Sequence, residues 1–174
     1  GVKSGMTRAM FVTVLSAAAD YDPAEYAETP FADVPAGKWY TAPVAWAYKN
    51  GVTGGTGNGN FSPNAVITRQ ELVTMLRKYA ELAGYDTEVS ETTLDSFPDA
   101  DKAAGWASEA LCWAYEKGII SGVGSGDSVL LAPKNVATRV QVAQMMVKLL
   151  ATRPVREING NDISQYVIVY NKDE

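Results

Sequence analysis

The chain is 174 residues long, enough for one compact domain or a few small repeats sharing a core, and its 47% hydrophobic and 20% charged residues belong to an ordered protein. With 15 basic against 20 acidic residues the net charge is −5, which argues against a sequence-independent nucleic-acid binder. There is no histidine and one cysteine, Cys112, which excludes Ser-His-Asp and Cys-His catalysis, His-containing metal sites, thiolate zinc clusters and an intrachain disulfide. No apolar run approaches the ~20 residues of a membrane span. No basic segment followed by an apolar stretch opens the sequence.

In chain order, the first element is an amphipathic segment opened by a Thr-Arg dipeptide, GMTRAMFVTVLSAAA. The same opening returns in VITRQELVTMLRKYAELAG and VATRVQVAQMMVKLLA, so Arg8, Arg69 and Arg139 mark a repeat. A second block precedes the last two copies. It reads FADVPAGKWYTAPVAWAYKNGVTGGTGNGNFSP from Phe31 and FPDADKAAGWASEALCWAYEKGIISGVGSGDSVLLAP from Phe97. Phe31 and Phe97, Asp33 and Asp99, Trp39 and Trp106, Trp46 and Trp113, and Gly51 and Gly118 fall in register. No such block precedes Arg8, so the sequence reads as the end of a first repeat followed by two complete ones.

Each complete repeat predicts two helices joined by a Gly-rich loop. The first spans about 39–50 and about 106–117, with Gly51 and Gly118 at the left-handed position that ends it. The second starts at the Thr. Thr68 with Glu71 and Thr138 with Gln141 have the capping-box spacing, whereas Met10 stands at that place after Thr7. Leu72, Met75, Leu76, Tyr79, Leu82 and Ala83 form one apolar face, ended by Gly84. The turn-rich loops leave room for a short extended piece at 60–62 or 129–131. A helix pair of this size cannot bury its apolar face alone, whereas three pairs can, with the Thr-Arg helices gathered at the centre.

The expected fold is therefore mostly α, a pseudo-threefold helical bundle of tandem helix–loop–helix repeats over about 1–153, followed by an extended or β tail. The expected divisions are 1–30, the second half of a first repeat with a linker; 31–96, a second repeat with a linker; 97–153, a third; and 154–174, a linker and a first strand, QYVIVY at 165–170, of a following module.

The arginines carry the strongest chemical signal. Each sits at the first helical residue, where a cation opposes the helix dipole. Three such placements ask for a compensating role. One is an anionic ligand clamped between the guanidinium and the helix N–H groups. The other is an inter-repeat salt bridge, from Arg69 to Asp99 or from Arg8 to Asp33. Trp39 and Trp106 either anchor the rim of the core or present a ring face to a sugar. Trp46 and Trp113, beside Ala, Val or Leu, read as core. Asp33 and Asp99 have three available roles: capping a turn, pairing with Arg, or accepting hydrogen bonds from sugar hydroxyls. Neither Gly-rich loop fits a phosphate-binding or EF-hand pattern. Glycan hydrolysis needs two carboxylates flanking the bond. Asp22, Glu25 and Glu28 do cluster, but no equivalent group appears in each repeat, and Asp101 beside Asp99 has no counterpart. An acidic surface linker accounts for them, and no catalytic residue, metal ligand or cofactor site is expected.

The order F-x-D-V, Trp, A-x-x-x-G-I/V, Gly, F-x-P and I-T-R-x-E resembles the S-layer homology repeat. Here it stands as FADV, Trp39, WAYKNGVTGG, FSP and ITRQEL, then as FPDA, Trp106, WAYEKGIISG, LAP and ATRVQV. MTRAMF matches only the end of one copy. The resemblance implies three tandem repeats in one pseudo-threefold unit, on exported proteins of bacteria, at the cell wall or surface layer. It implies non-covalent attachment to a secondary cell-wall polysaccharide linked to peptidoglycan, often bearing a pyruvylated amino sugar, in grooves between repeats. Carried over by motif, the ligand-binding positions are Arg8, Asp33, Trp39, Arg69, Asp99, Trp106 and Arg139. The implied grooves join Arg8 with Asp33 and Trp39, and Arg69 with Asp99 and Trp106, leaving the groove at Arg139 open or completed by self-association. Departures are Met10 and Gln141 for the motif Glu, and Ala100 for its Val. The non-catalytic anchor competes with two alternatives, an assembly domain without glycan binding and the anchor of a larger surface enzyme.

Overall fold

A computed structural model describes residues 5–90, 94–125 and 129–152, together with the backbone of 157–158 and 161–162. Five α-helices dominate: α1 (Arg8–Ala18), α2 (Thr41–Lys49), α3 (Arg69–Leu82), α4 (Ser108–Glu116) and α5 (Arg139–Ala151). A 3-10 turn at Gly105–Ala107 leads into α4. The predicted helices at 39–50 and 106–117 are thus regular over shorter spans. Gly51 and Gly118 follow them with φ of 71° and 68°. Gly84 plays the same part after α3, with φ of 78°, so the chain leaves each of these helices through a left-handed glycine.

α1, α3 and α5 start alike. The hydroxyl of Thr7, Thr68 or Thr138 accepts from the backbone N–H three residues on. Glu71 and Gln141 complete the box by accepting from the N-cap N–H, and Met10 cannot. The extended residues before these helices meet at the centre. The Met6 N–H donates to Ala137 O (3.0 Å), the Ala137 N–H to Ile67 O (2.9 Å) and the Ile67 N–H to Met6 O (2.9 Å). This closed triangle of hydrogen bonds is the pseudo-threefold axis, and Ile67 and Ala137 are wholly buried on it. Gly5 lies against it because a Cβ there would stand 2.7 Å from Val136 Cγ1.

Away from the triangle the helices pack mainly across repeat boundaries. α2 lies on α1, and α4 lies on α3. The core runs through Phe11, Leu15, Trp46, Phe61, Leu72, Leu76, Trp113, Leu131 and Leu149. Trp46 and Trp113 are core residues, as their neighbours predict. The predicted apolar face of α3 is buried through Tyr79, but Leu82 is 47% exposed, lining an open groove with Ala18, Trp46 and Leu150.

The extended pieces predicted in the loops are present as single bridges, Gly57 with Asn60 and Val123 with Leu130. Asp22, Glu25 and Glu28 are exposed, and Asp22 caps a 3-10 turn at Pro23–Glu25. In the tail, β1 (Glu157–Ile158) and β2 (Asn161–Asp162) pair antiparallel. The strand expected at 165–170 lies outside the described residues.

Candidate functional site: two inter-repeat grooves

Asp33 and Asp99 play the turn-capping role. The Asp33 carboxylate accepts from the N–H groups of Phe61 (2.8 Å) and Ser62 (2.7 Å), and Asp99 from Leu131 (2.8 Å) and Ala132 (2.9 Å). Ser62 and Ala132 hold φ of 60° and 52°, a left-handed conformation unfavourable for a side chain. Two charge-assisted bonds from one carboxylate keep each turn in place. With their oxygens so engaged, the two aspartates are not the hydrogen-bonded partners of the arginines.

The arginines reach across to the next repeat. Arg8 is 3% exposed: its Nε donates to Phe61 O (2.9 Å), its Nη1 pairs with Glu71 Oε1 (2.9 Å), and its guanidinium carbon lies 4.9 Å from the Phe61 ring centroid. Its Nη2 is buried without a hydrogen-bond partner. Arg69 is 4% exposed and donates to Leu131 O and Ser121 O, both at 3.2 Å. Burial pulls both guanidinium pKa values down; Glu71 and then Asp33 oppose this for Arg8, and Asp99 opposes it for Arg69. Both stay cationic at neutral pH. The inter-repeat salt bridge therefore exists, but Arg8 makes it with Glu71 rather than with Asp33. Arg139 is exposed, and its Nη2 lies 3.6 Å from Met10 Sδ. Arg8 and Arg139 thus reach the same position, the third residue of the next Thr-Arg helix.

The helix-start N–H groups are not open to an anion at α1 and α3. Those of Arg8 and Ala9 donate to Ala65 O and Pro63 O, and those of Arg69 and Gln70 to Asn135 O and Pro133 O. The loop of the following repeat takes the place expected for a ligand.

A groove remains beside each buried arginine. The first, about 360 Å³, is lined by Arg8, the backbone stretch 52–56, Glu71, Thr74, Met75 and Trp106. The second, about 170 Å³, is lined by Arg69, the stretch 119–123, Gln141, Gln144, Met145 and Lys148. The two are built alike: an arginine from one repeat, then the loop and Thr-Arg helix of the next. The expected groupings with tryptophan need correcting. Trp106 joins Arg8, not Arg69, because the turn at Gly105–Ala107 and α4 pack on α3, which forms a wall of the Arg8 groove. Trp39 lines neither groove and stands edge-on to Tyr40, with ring centroids 5.2 Å apart. Trp39 and Trp106 are each 60% exposed, so neither anchors the core. Lys148 and Gln144 were absent from the expected site; only the helical spacing from Arg139 signals that they share a face with Gln141. Among the described residues no group of three or more Cys, Asp or Glu can hold a metal ion, and no helix is long and apolar enough to cross a membrane.

The family model for the S-layer homology domain matches residues 30–73 and 96–143, more than half of the chain. The chain belongs to the S-layer homology family. It is 37% identical over 121 residues to an exoglucanase, XynX, of Acetivibrio thermocellus, a match covering 69% of this chain and 11% of that protein. It is 34% identical over 143 residues to the S-layer protein Sap of Bacillus anthracis, covering 82% of this chain and 16% of that one. An amylopullulanase of Thermoanaerobacterium thermosulfurigenes is 35% identical over 69% of this chain, again within a small part (6%) of its own length. In fold, the chain is similar to an undecaheme cytochrome from the S-layer of Carboxydothermus ferrireducens, with a TM-score of 0.50 at 20% identity over 88% of this chain and 18% of that one. S-layer homology domains are non-catalytic modules that bind cell-wall polysaccharide, and membership places this domain at the bacterial cell surface.

Proposed function

We propose that this domain anchors its parent protein by gripping an anionic, pyruvylated secondary cell-wall polysaccharide in the grooves between repeats. The carrying observation is the recurrence of one construction at Arg8 and Arg69, a buried cation facing a groove walled by the loop and Thr-Arg helix of the next repeat. A pyruvyl ketal carries a carboxylate, and a guanidinium is its natural bidentate partner. In this reading Arg8, Arg69, Arg139 and Trp106 face the polymer, with Trp39 assigned by the pseudo-threefold relation to the side of α1 and Arg139. Asp33 and Asp99 hold the loops that shape the grooves. The repeats divide at about residues 30, 96 and 153. Self-association beside Arg139 belongs to the same proposal.

Retention on purified wall sacculi, with and without extraction of the secondary polymer, is the direct test. Binding is expected only to unextracted walls. Arg69→Ala is expected to weaken retention much more than Arg139→Ala, once both variants are shown to be folded; equal losses would contradict the assignment. Failure to bind unextracted walls would favour an assembly domain. That second reading draws on the internal bonds that occupy much of Arg8 and Arg69. The exoglucanase and amylopullulanase relatives support a parent that is a larger surface enzyme.

A further inference from the structure

The two grooves share a plan and differ in charge. In the Arg8 groove the cation is paired with Glu71 at 2.9 Å. In the Arg69 groove the same helix position holds Gln141, whose Oε1 accepts from the Thr138 N–H (3.0 Å). The capping function of Glu71 survives there and its negative charge does not. Gln144 replaces Thr74, adding an amide with both donors and an acceptor. The Arg69 groove also gains a second cation, Lys148. Its counterpart on α3, Lys78, is bonded to Glu81 (3.3 Å) and is not in the Arg8 groove. Ala151 stands three residues after Lys148, so no acid answers it there.

The charge of Asp33 acts on Arg8 as that of Asp99 acts on Arg69, and both aspartates clamp the equivalent turn, so they cancel in the comparison. What is left is a cation and an anion lining one groove, and two cations lining the other. The volumes differ too, about 360 Å³ beside Arg8 and about 170 Å³ beside Arg69. The larger groove has the exposed ring of Trp106, a flat apolar surface suited to the C–H face of a sugar. The smaller has no aromatic wall.

We propose that the grooves divide the ligand: the Arg69 groove takes a carboxylate borne on the sugar, with Lys148 as its specificity-determining residue, and the Arg8 groove takes an uncharged sugar against Trp106. The assignment rests on the wall-polymer reading above. Glu71 then acts as a selectivity filter: it pairs with Arg8 Nη1 and repels a ligand carboxylate, leaving the unpartnered Nη2 to an uncharged sugar oxygen.

The test is calorimetric titration of the folded domain with two probes, the methyl glycoside of an N-acetylhexosamine and its 4,6-O-pyruvyl ketal. The wild type is expected to bind both. Lys148→Gln, at an exposed position, should weaken the ketal about threefold, the range for an exposed ion pair, with a larger effect at low salt, and leave the neutral glycoside unchanged. Lys78→Gln should change neither. Glu71→Gln keeps a capping side chain and is expected to create a second ketal site beside Arg8. Ketal binding that is the same in wild type and Lys148→Gln overturns the division while leaving the wall-polymer reading intact. So does retention on walls without any preference for the ketal. Loss of both probes and of wall retention overturns the wall-polymer reading itself.

Discussion

The two complete repeats agree in what holds them together and differ in what they show to solvent. Phe31 meets Tyr48 edge-on at 5.3 Å, and Phe97 meets Tyr115 edge-on at 5.0 Å. Asp33 and Asp99 clamp the same left-handed turn through the same two N–H groups. Yet the residues facing the grooves, Glu71 and Gln141 or Thr74 and Gln144, have changed character. A buried position answers to packing and to unpaired donors, and both penalise change heavily. A groove position on a helix face can change more freely, here within the limit that Glu71 and Gln141 both still cap their helices. The fold can therefore persist while the two sites drift apart.

The strongest challenge to the first half of that contrast is at two glycines. A Cβ on Gly122 would run into Val129 and stand 2.9 Å from the Phe97 ring; one on Gly55 would meet Asn60 O and stand 2.6 Å from the Phe31 ring, at a φ of 86°. Gly122→Ala and Gly55→Ala are each expected to destabilise the fold by roughly 2–4 kcal/mol in denaturant titrations. A variant as stable as the wild type would remove the claim that both loops are fixed by their phenylalanine.

Next come the clamps. Asp99→Ala leaves two buried N–H groups unpaired and is expected to cost about 3 kcal/mol. Asp33→Ala should cost less, because Asp33 is only half-buried whereas Asp99 is 4% exposed. Equal losses would mean that solvent does not relieve the second loop. Trp106→Ala tests the other half of the contrast. With its ring 60% exposed, stability should move by less than about 0.5 kcal/mol, while retention on wall sacculi falls.

The smallest effect belongs to the exposed pair of Lys117 Nζ and Asp86 Oδ2, 2.6 Å apart. The Lys117 hydrogen bond holds the Asp86 carboxyl below its usual pKa and raises that of Lys117 in turn. The contribution from Asp86 is present above the ordinary carboxylate pKa and is lost as pH falls through the lowered value. The contribution from Lys117 is present below the ordinary lysine pKa and is lost as pH rises through the raised value. Lys117→Met should therefore differ slightly from wild type at neutral pH in thermal melts and converge with it in acid.

Much of this was legible in the sequence. The Thr-Arg openings, the capping spacings, the glycines after α2 and α4 and the core tryptophans follow from local rules, and local rules act within a few residues. The partners of Arg8 and Trp106 do not. Arg8 meets Glu71, 63 residues away, because the ring of repeats brings α3 beside α1. Trp106 serves the Arg8 groove because α4 packs back on α3, and register alone cannot tell which side of a repeat boundary a ring will face. The helix-start N–H groups also misled: no sequence rule reveals that a neighbouring loop already supplies their acceptors.

The triangle of hydrogen bonds among Met6, Ile67 and Ala137 has a mechanical consequence. A linear array of repeats can peel from either end, each unit contacting only its neighbours. Here the first described Thr-Arg segment is bonded to the last one as well as to the middle one, so each of the three is held by both of the others. Pulling one Thr-Arg segment out of the triangle breaks bonds to both of the others at once. Load applied to a protein tethered through this domain is thereby shared among three repeats rather than passed along them in turn.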